Sequence, residues 1–479
     1  MKENKIVELL KGISPAEFKK FGDFIRSPYH NKSIKSVRLY DFFNNYPGDF
    51  RQASVSLEDI NKAIYNEKSA NLPKVRSLIS DFSKLIEKFL TLTELEKNKA
   101  YQKTMLLTAL NDRSLSKNFH RILKETIEEQ NAEYNRDEDY YYNRIFLEVE
   151  AFNYGLERNT FISPEDFRNI SFNIDLFFII TKLNLLHFMY YHKQNIAGSE
   201  DYGIWLKNEI IGYIEKNIGT VKKEHPVIYM KYLILKTITE PENYIHFTNL
   251  KKFLLKNIEN MNHDVRAYIF GALTNYCITR CNSGDVKFKI ERYKIYELME
   301  KSGMFITDKY INYIDFLNLV FASLEVGKIN RAEEFFAKYR NLIIPELKRD
   351  TLYLAQAQIH YYKKKFDSAI RALNNVSYYN AYFYLRAKVL LTRIYYEMKE
   401  TEPIDYIIDT AKHYVKRKSK STALNGELYN KYFLYLKKLI NLDADDKEKI
   451  DNVKFSILND TNVMGKEWLL NKITELENS

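Results

Sequence analysis

The 479-residue sequence holds only two cysteines, two tryptophans, 14 glycines and nine prolines, and each scarcity excludes something. Two cysteines cannot supply the disulfide framework of a small exported scaffold. Few glycines and prolines leave little material for tight turns and hairpins, which disfavours sheet and favours helix. The opening stretch, MKENKIVELLKGIS, has no uninterrupted apolar run of signal-peptide length, so export is not expected. No Gly-rich phosphate loop and no HExxH, GxSxG or kinase-type signature occurs. A non-enzymatic protein without a cofactor is therefore expected.

What is present points to a folded chain with a large core. Hydrophobic residues at 45% beside 28% charged residues rule out a disordered composition. The length exceeds what one compact core holds, so two or three helical segments are expected. The 38 tyrosines and 30 phenylalanines read mainly as packing, because large amphipathic rings fill helix–helix seams. With 73 basic against 63 acidic residues the surface is mixed, permitting an acidic partner or nucleic acid without demanding either. Phe172–Tyr191 is long enough to span a bilayer but carries Asp175, Lys182 and His187. A charged side chain at mid-membrane costs about 2.5–3.5 kcal/mol, so a buried helix is expected there and no membrane insertion.

Helix starts are written locally. Ser14-Pro15-Ala16-Glu17 combines an N-cap hydroxyl, a first-turn proline and a glutamate able to reach back to the cap. Ser163 with Asp166 repeats the device, and Ser56 with Asp59 is a weaker version. Between Pro73 and Leu90, Val75, Leu78, Ile79, Phe82, Leu85, Ile86 and Phe89 fall on one helix face. Similar stripes are Trp205, Leu206, Ile210, Ile214 and Ile218, and Tyr429, Tyr432, Phe433, Leu436 and Ile440. No sustained alternation competes with them, and no strand is expected.

The C-terminal half contains a loose repeat. Phe316–Tyr339 and Tyr353–Val376 each read as helix, short polar turn, helix, with Ala332 and Ala369 inside the second helix. A period near 37 residues suits stacked helix pairs, since one pair cannot bury its own apolar faces. Ala357, Phe366 and Ala369, like Gly327, Ala332 and Phe336 in the preceding copy, resemble the tetratricopeptide repeat. The pattern departs from it at Val320, at Lys364 where the glycine is lost, and at Pro403 in a third copy around Tyr382–Tyr414 that has no clean alanine.

A second resemblance covers almost the whole chain. EFKKFGDFIRSPYHNK (Glu17–Lys32), LISDFSKLIEKFL (Leu78–Leu90), NYCITRCNSGD (Asn275–Asp285), AKVLLTRIYYE (Ala387–Glu397) and GKEWLLNKI (Gly465–Ile473) occur in an order similar to that of an uncharacterised family of bacterial helical-repeat proteins. That resemblance implies a cytoplasmic helical fold and brings no activity.

Other signals have plain structural readings. Cys277 and Cys281 lack the further ligands zinc needs and read as core cysteines. His187 and His192 lie about 140° apart around a helix and cannot share a metal. The run Asp137-Glu138-Asp139 reads as a helix start or solvated loop. Lys412–Lys420 reads as the basic end of a helix.

The expected architecture is all-α: stacked antiparallel helix pairs forming a tetratricopeptide-like solenoid. A smaller N-terminal helical domain over 1–95 and a middle region over 96–265 precede the repeats and a C-terminal capping helix over 266–479. The expected function is a scaffold or adaptor whose concave face binds a protein or peptide segment through Gln358, Tyr361 and Tyr362, flanked by Lys388. The alternative is a transcriptional regulator. In it the helix pair within Ser56–Leu90 reads DNA through Lys74, Arg76 and Ser80, and the repeats form a sensor. Far-ultraviolet circular dichroism should show helix over well more than half of the chain, against an average of about 30–35%; substantial strand signal overturns the fold class.

Overall fold

A computed structural model of the protein describes residues 5–46, 55–65, 72–160, 162–195, 203–307, 309–377, 380–418, 426–460 and 463–478. It is 80% helical, with 24 α-helices and almost no strand. The first nine are α1 (Lys5–Lys11), α2 (Pro15–Arg26), α3 (Ile34–Asn44), α4 (Leu57–Tyr65), α5 (Leu72–Lys97), α6 (Lys99–Asp112), α7 (Ser116–Asn131), α8 (Glu138–Glu157) and α9 (Pro164–Asn195). Next come α10 (Lys207–Lys216), α11 (Ile218–Glu224), α12 (Pro226–Thr239), α13 (Tyr244–Asn257), α14 (His263–Asn282), α15 (Lys287–Lys301), α16 (Tyr313–Glu325) and α17 (Ile329–Tyr339). The last seven are α18 (Pro345–Tyr362), α19 (Phe366–Leu373), α20 (Ala381–Glu397), α21 (Glu402–Lys418), α22 (Gly426–Ile440), α23 (Lys447–Asn459) and α24 (Lys466–Glu477).

Packing divides the chain into two units, residues 1–132 with 143–170, and residues 133–142 with 171–479. The boundaries expected after residues 95 and 265 fall inside these units. The first lies within α5, which packs on α6, and the second within α14, whose Ile269, Phe270 and Leu273 belong to a core running from Tyr140 to Ile394.

In the first unit, α1 to α5 close on Phe21, Leu39, Phe43, Ile60, Phe82 and Ile86. The rings of Phe21 and Phe82 meet edge to face with centroids 5.5 Å apart. The stripe read along Pro73–Leu90 is the inner face of α5, with Leu85 partly buried and the rest buried. A second small core joins Leu107, Phe119, Leu147 and Tyr154, the last two aromatic rings stacked at 4.1 Å.

All three helix starts form reciprocal caps. The Glu17 backbone N–H donates to Ser14 Oγ (3.2 Å) and the Ser14 N–H to Glu17 Oε2 (2.9 Å). Ser163 and Asp166 repeat this at 3.2 and 2.8 Å. Ser56 and Asp59 do so at 3.1 and 3.0 Å, as complete a box as the others despite the shorter aspartate arm.

Three expectations need correction. The stripe from Trp205 to Ile218 is not one helix. Leu206 takes a left-handed conformation (φ 59°) just before α10, Trp205 is 82% exposed, and only Ile210 and Ile214 are buried. The long apolar segment in α9 is not buried on all sides: Leu176, Ile180, Leu183 and Leu186 are, while Phe172, Ile174, Phe178, Leu185, Phe188 and Tyr191 are exposed. This one helix is long and apolar enough to cross a membrane by length and composition, and 28% of its most apolar window is buried. Among the described residues, the strands are β1 (Ile306–Thr307) and β2 (Tyr310–Ile311), a two-residue antiparallel pair where none was expected.

From α16 onward the packing follows a regular scheme. Helix α16 packs on α17 and α18, α18 on α19 and α20, and α20 on α21. Ala332, Ala357 and Ala369 are all fully buried where helices approach closely. In the third pair Pro403 sits in the first turn of α21, where its missing N–H has no intrahelical partner to lose. Ile404, also fully buried, stands five residues after the turn, as Ala332 and Ala369 do.

The turns explain how so few glycines suffice. After α16, α18 and α20 a residue with positive φ closes the helix: Gly327 (78°), Lys364 (56°) and Lys399 (61°). In each, the next N–H donates back to a carbonyl in the last turn: Lys328 to Ser323 (2.8 Å), Lys365 to His360 (2.9 Å) and Glu400 to Tyr395 (2.9 Å). This is the Schellman closure, and it recurs after Ser114 and Asn159. A lysine in the left-handed region costs roughly 1–2 kcal/mol, against roughly 0.5–1 kcal/mol of extra unfolded-state freedom for glycine. Lys364→Gly and Lys399→Gly should therefore each raise unfolding free energy by about 0.5–1 kcal/mol. Urea denaturation reads this directly; a loss of stability would show that the lysine side chains, not the turns, hold these corners.

Candidate functional site

The second unit contains a cavity of about 410 Å³, within the range that holds a small molecule or a short peptide stretch. Its wall comes from α16 (Asn318, Phe321, Glu325), α18 (Leu354, Gln358, Tyr361, Tyr362) and α20 (Arg386, Val389, Leu390, Arg393). None of the lining residues lies on α17, α19 or α21. The first helix of each successive pair thus faces inward, and the second packs outside it. Residues of α14, α15, α22 and α24 complete the wall, with Lys466, Glu467 and Trp468 at the start of α24.

Helix α24 is fastened across this space by polar contacts. Trp468 Nε1 donates to the Tyr361 hydroxyl (3.1 Å), and Lys472 Nζ pairs with Glu397 Oε1 (2.8 Å). Lys289 and Glu467 form an ion pair between α15 and α24. Burial drives the Tyr361 hydroxyl up to about 12 and raises that of Tyr362, so both remain neutral donors. Gly465 permits this start. Its φ is +63°, and a Cβ there would collide with the Arg393 guanidinium.

Five cations line the cavity against two carboxylates. Arg292 pairs with Glu325 and Lys289 with Glu467. The Lys466 ammonium donates to three carbonyls, those of Leu458 (2.8 Å), Asp460 (3.0 Å) and Ser283 (3.3 Å). Arg386 and Arg393 have no carboxylate at ion-pair distance among the described residues, and the Nε atoms of both are sealed from solvent without an acceptor. Rings hold them instead. The Arg386 guanidinium lies 5.3 Å from the Tyr382 ring centre and 5.9 Å from that of Phe321. That of Arg393 lies 5.2 Å from Trp468 and 5.6 Å from Tyr432. Cation–π contacts of this kind contribute up to about 2 kcal/mol each when desolvated. The Tyr432 hydroxyl is engaged elsewhere, with Thr392 Oγ1 at 3.0 Å.

Of the residues expected from sequence to face a partner, Gln358, Tyr361 and Tyr362 come together in this wall. Lys388 does not join them: two residues round α20 from Arg386, it turns its ammonium over the Tyr384 ring at 5.4 Å. Sequence reading missed Arg386 and Arg393. The available signal was their place in a stripe with Val389 and Leu390 at helix-face spacing, where a charged residue is out of keeping.

The other candidate sites are less assembled. Lys74, Arg76 and Ser80 are exposed on α5, but Lys74 and Arg76 lie about 200° apart around the helix. The six-residue break before α5 lies outside the described residues, as do Ser419 and Lys420 at the end of the basic run. Asp137 caps α8, its Oδ1 accepting from the Tyr140 N–H at 3.0 Å. The neighbouring Glu138 is drawn into a network: it accepts from Asn184 Nδ2 (2.8 Å), whose oxygen accepts from Lys231 Nζ (2.5 Å). Lys231 also lies over the Tyr268 ring at 5.1 Å, and the Tyr268 hydroxyl hydrogen-bonds His187, which burial and then Lys231 hold down at about 4, hence neutral. No group of three His, Cys, Asp or Glu residues able to hold a metal occurs among the described residues.

Comparison of the chain with protein-family models, curated proteins and solved structures finds no match in any of the three.

Cys281 lines the cavity and Cys277 lies buried one turn earlier; burial raises both thiols, that of Cys281 up to about 11. A raised thiol pKa means less thiolate at neutral pH. Iodoacetamide should thus alkylate Cys281 in the folded protein about two orders of magnitude more slowly than a small thiol at pH 8. The rate should climb with pH toward 11, and Cys277 should stay unmodified. Reaction at the small-thiol rate would show that this wall is open to water.

Proposed function

We propose that this chain is a non-enzymatic, cytoplasmic scaffold or adaptor: a tetratricopeptide-like stack of helix pairs that grips a protein segment on its inner, concave side. One observation carries the reading. The first helices of three successive pairs, α16, α18 and α20, converge on a single cavity. A second helix in each pair stays outside, so the inner wall can vary in chemistry while the outer layer maintains the stack. Four side-chain amides line that wall, Asn282, Asn318, Gln358 and Asn471. Each both donates and accepts, which suits the alternating N–H and C=O groups of a peptide backbone. The regulator reading has weaker support, because the two basic residues at the start of α5 do not share a face.

A photo-crosslinking residue at position 358, introduced in the source cell, would trap the partner for identification. The purified partner would then be titrated against the intact protein. Gln358→Glu should weaken binding at least tenfold, and Lys74→Glu with Arg76→Glu should leave it unchanged. A salt-sensitive DNA interaction that the position-358 variant keeps and the Lys74/Arg76 variant loses would replace the adaptor with the regulator.

A further inference from the structure

We infer that the cavity takes an extended acidic segment with two carboxylates three residues apart, one on Arg386 and one on Arg393; the inference rests on the segment-binding reading above. The argument begins with the charges the fold leaves over. Of the five cations in the wall, two face carboxylates and one faces carbonyls, so the two arginines of α20 are the cationic groups without an anionic or carbonyl partner among the described residues. A buried charge with no counter-charge is expensive, and contact with aromatic rings compensates only partly. Stacking also has a directional effect. Rings over a guanidinium occupy its faces and, with Nε sealed in both arginines, leave the terminal Nη donors in its plane for an oxyanion.

The helix N-terminus adds to the same field. Helix α24 starts at Lys466 with no side-chain cap, and its first three residues line the cavity. The positive end of its dipole therefore faces the space that the arginines border. Low-dielectric walls concentrate such a potential, so an anion entering here is favoured more than at an open surface.

Spacing selects the ligand. Arg386 and Arg393 are seven residues apart on one helix, on the same side and about 10 Å apart along the axis. A chain in the polyproline II conformation repeats every three residues and rises about 3.1 Å per residue, so side chains at i and i+3 share an edge roughly 9 Å apart. A β-strand puts i and i+3 on opposite faces, and a helix brings them too close. An acidic pair at i and i+3 in a left-handed extended segment matches the spacing of the two arginines along α20.

The test uses Trp468 as reporter. Trp205→Phe removes the other tryptophan, which is largely exposed, and leaves emission from the cavity wall alone. The probes are the blocked peptide Glu-Pro-Pro-Glu, its Gln-Pro-Pro-Gln counterpart, and inorganic phosphate. The glutamate peptide should shift Trp468 emission saturably and bind at least tenfold more tightly than the glutamine peptide. Arg386→Gln and Arg393→Gln should each remove at least tenfold, while Arg386→Lys and Arg393→Lys retain part of the affinity and, with circular dichroism, control for folding. Equal binding of the two peptides overturns the acidic inference and leaves the segment reading standing. Saturation by phosphate but by neither peptide overturns both. No response to any probe overturns this inference alone, since trapping through position 358 does not depend on it.

Discussion

From Phe316 to Leu324, helix α16 is buried around most of its circumference, and the packing around it depends on that. Phe316, Leu317, Leu319, Val320, Phe321, Ala322, Ser323 and Leu324 are consecutive or nearly so, and all are buried. A helix with an apolar residue in every direction cannot rest at a surface. It must have neighbours on all flanks, which α15, α17 and α18 supply. Once α16 is enclosed, α18 is fixed beside it, and α20 beside α18, each keeping its own outer partner. The inward edges of these three helices then meet across a space that none of them fills. The cavity is a consequence of stacking helices whose buried faces are turned toward one another's flanks.

What was legible in the sequence was whatever is decided within a turn or two of helix. The Ser14, Ser56 and Ser163 caps could be read because donor and acceptor are three residues apart. The faces of α5 and α22 could be read because their apolar residues recur at helical spacing against one core. The stripe around Trp205 failed for a reason of backbone, a left-handed Leu206 that stops the helix whatever the side-chain pattern says. The outer side of α9 was misjudged because hydropathy cannot say which flank a neighbour will cover. The loss of the repeat's glycine at Lys364 is legible, but not that it and Lys399 take the glycine's left-handed conformation, since the strain is accepted in exchange for carbonyls closed by the Schellman bonds.

The candidate site was half legible for the same reason. Gln358, Tyr361 and Tyr362 lie on one helix and could be placed by analogy of pattern. Their relation to Trp468 crosses 107 residues of sequence, and Lys466 reaches Ser283 across 183. No local rule spans that distance. Sequence reading picks Lys388 and not Arg386, yet two residues of helix turn Arg386 inward and Lys388 toward Tyr384.

The last element joins stability to recognition. Gly465 is the residue at which α24 begins, and its positive φ lets Lys466, Glu467 and Trp468 all enter the cavity wall within one turn. Lys466 binds Ser283, at the end of α14, while Glu467 binds Lys289 at the start of α15, so α24 is anchored to the two helices that precede α16. Trp468 lies against the guanidinium of Arg393 and donates to Tyr361. The same turn that ties α24 to α14 and α15 also sets Trp468 against one of the two arginines left without a counter-charge. An occupant that engages Arg393 therefore acts on the contact that holds α24, and the free energy of binding and the docking of that helix are thermodynamically linked.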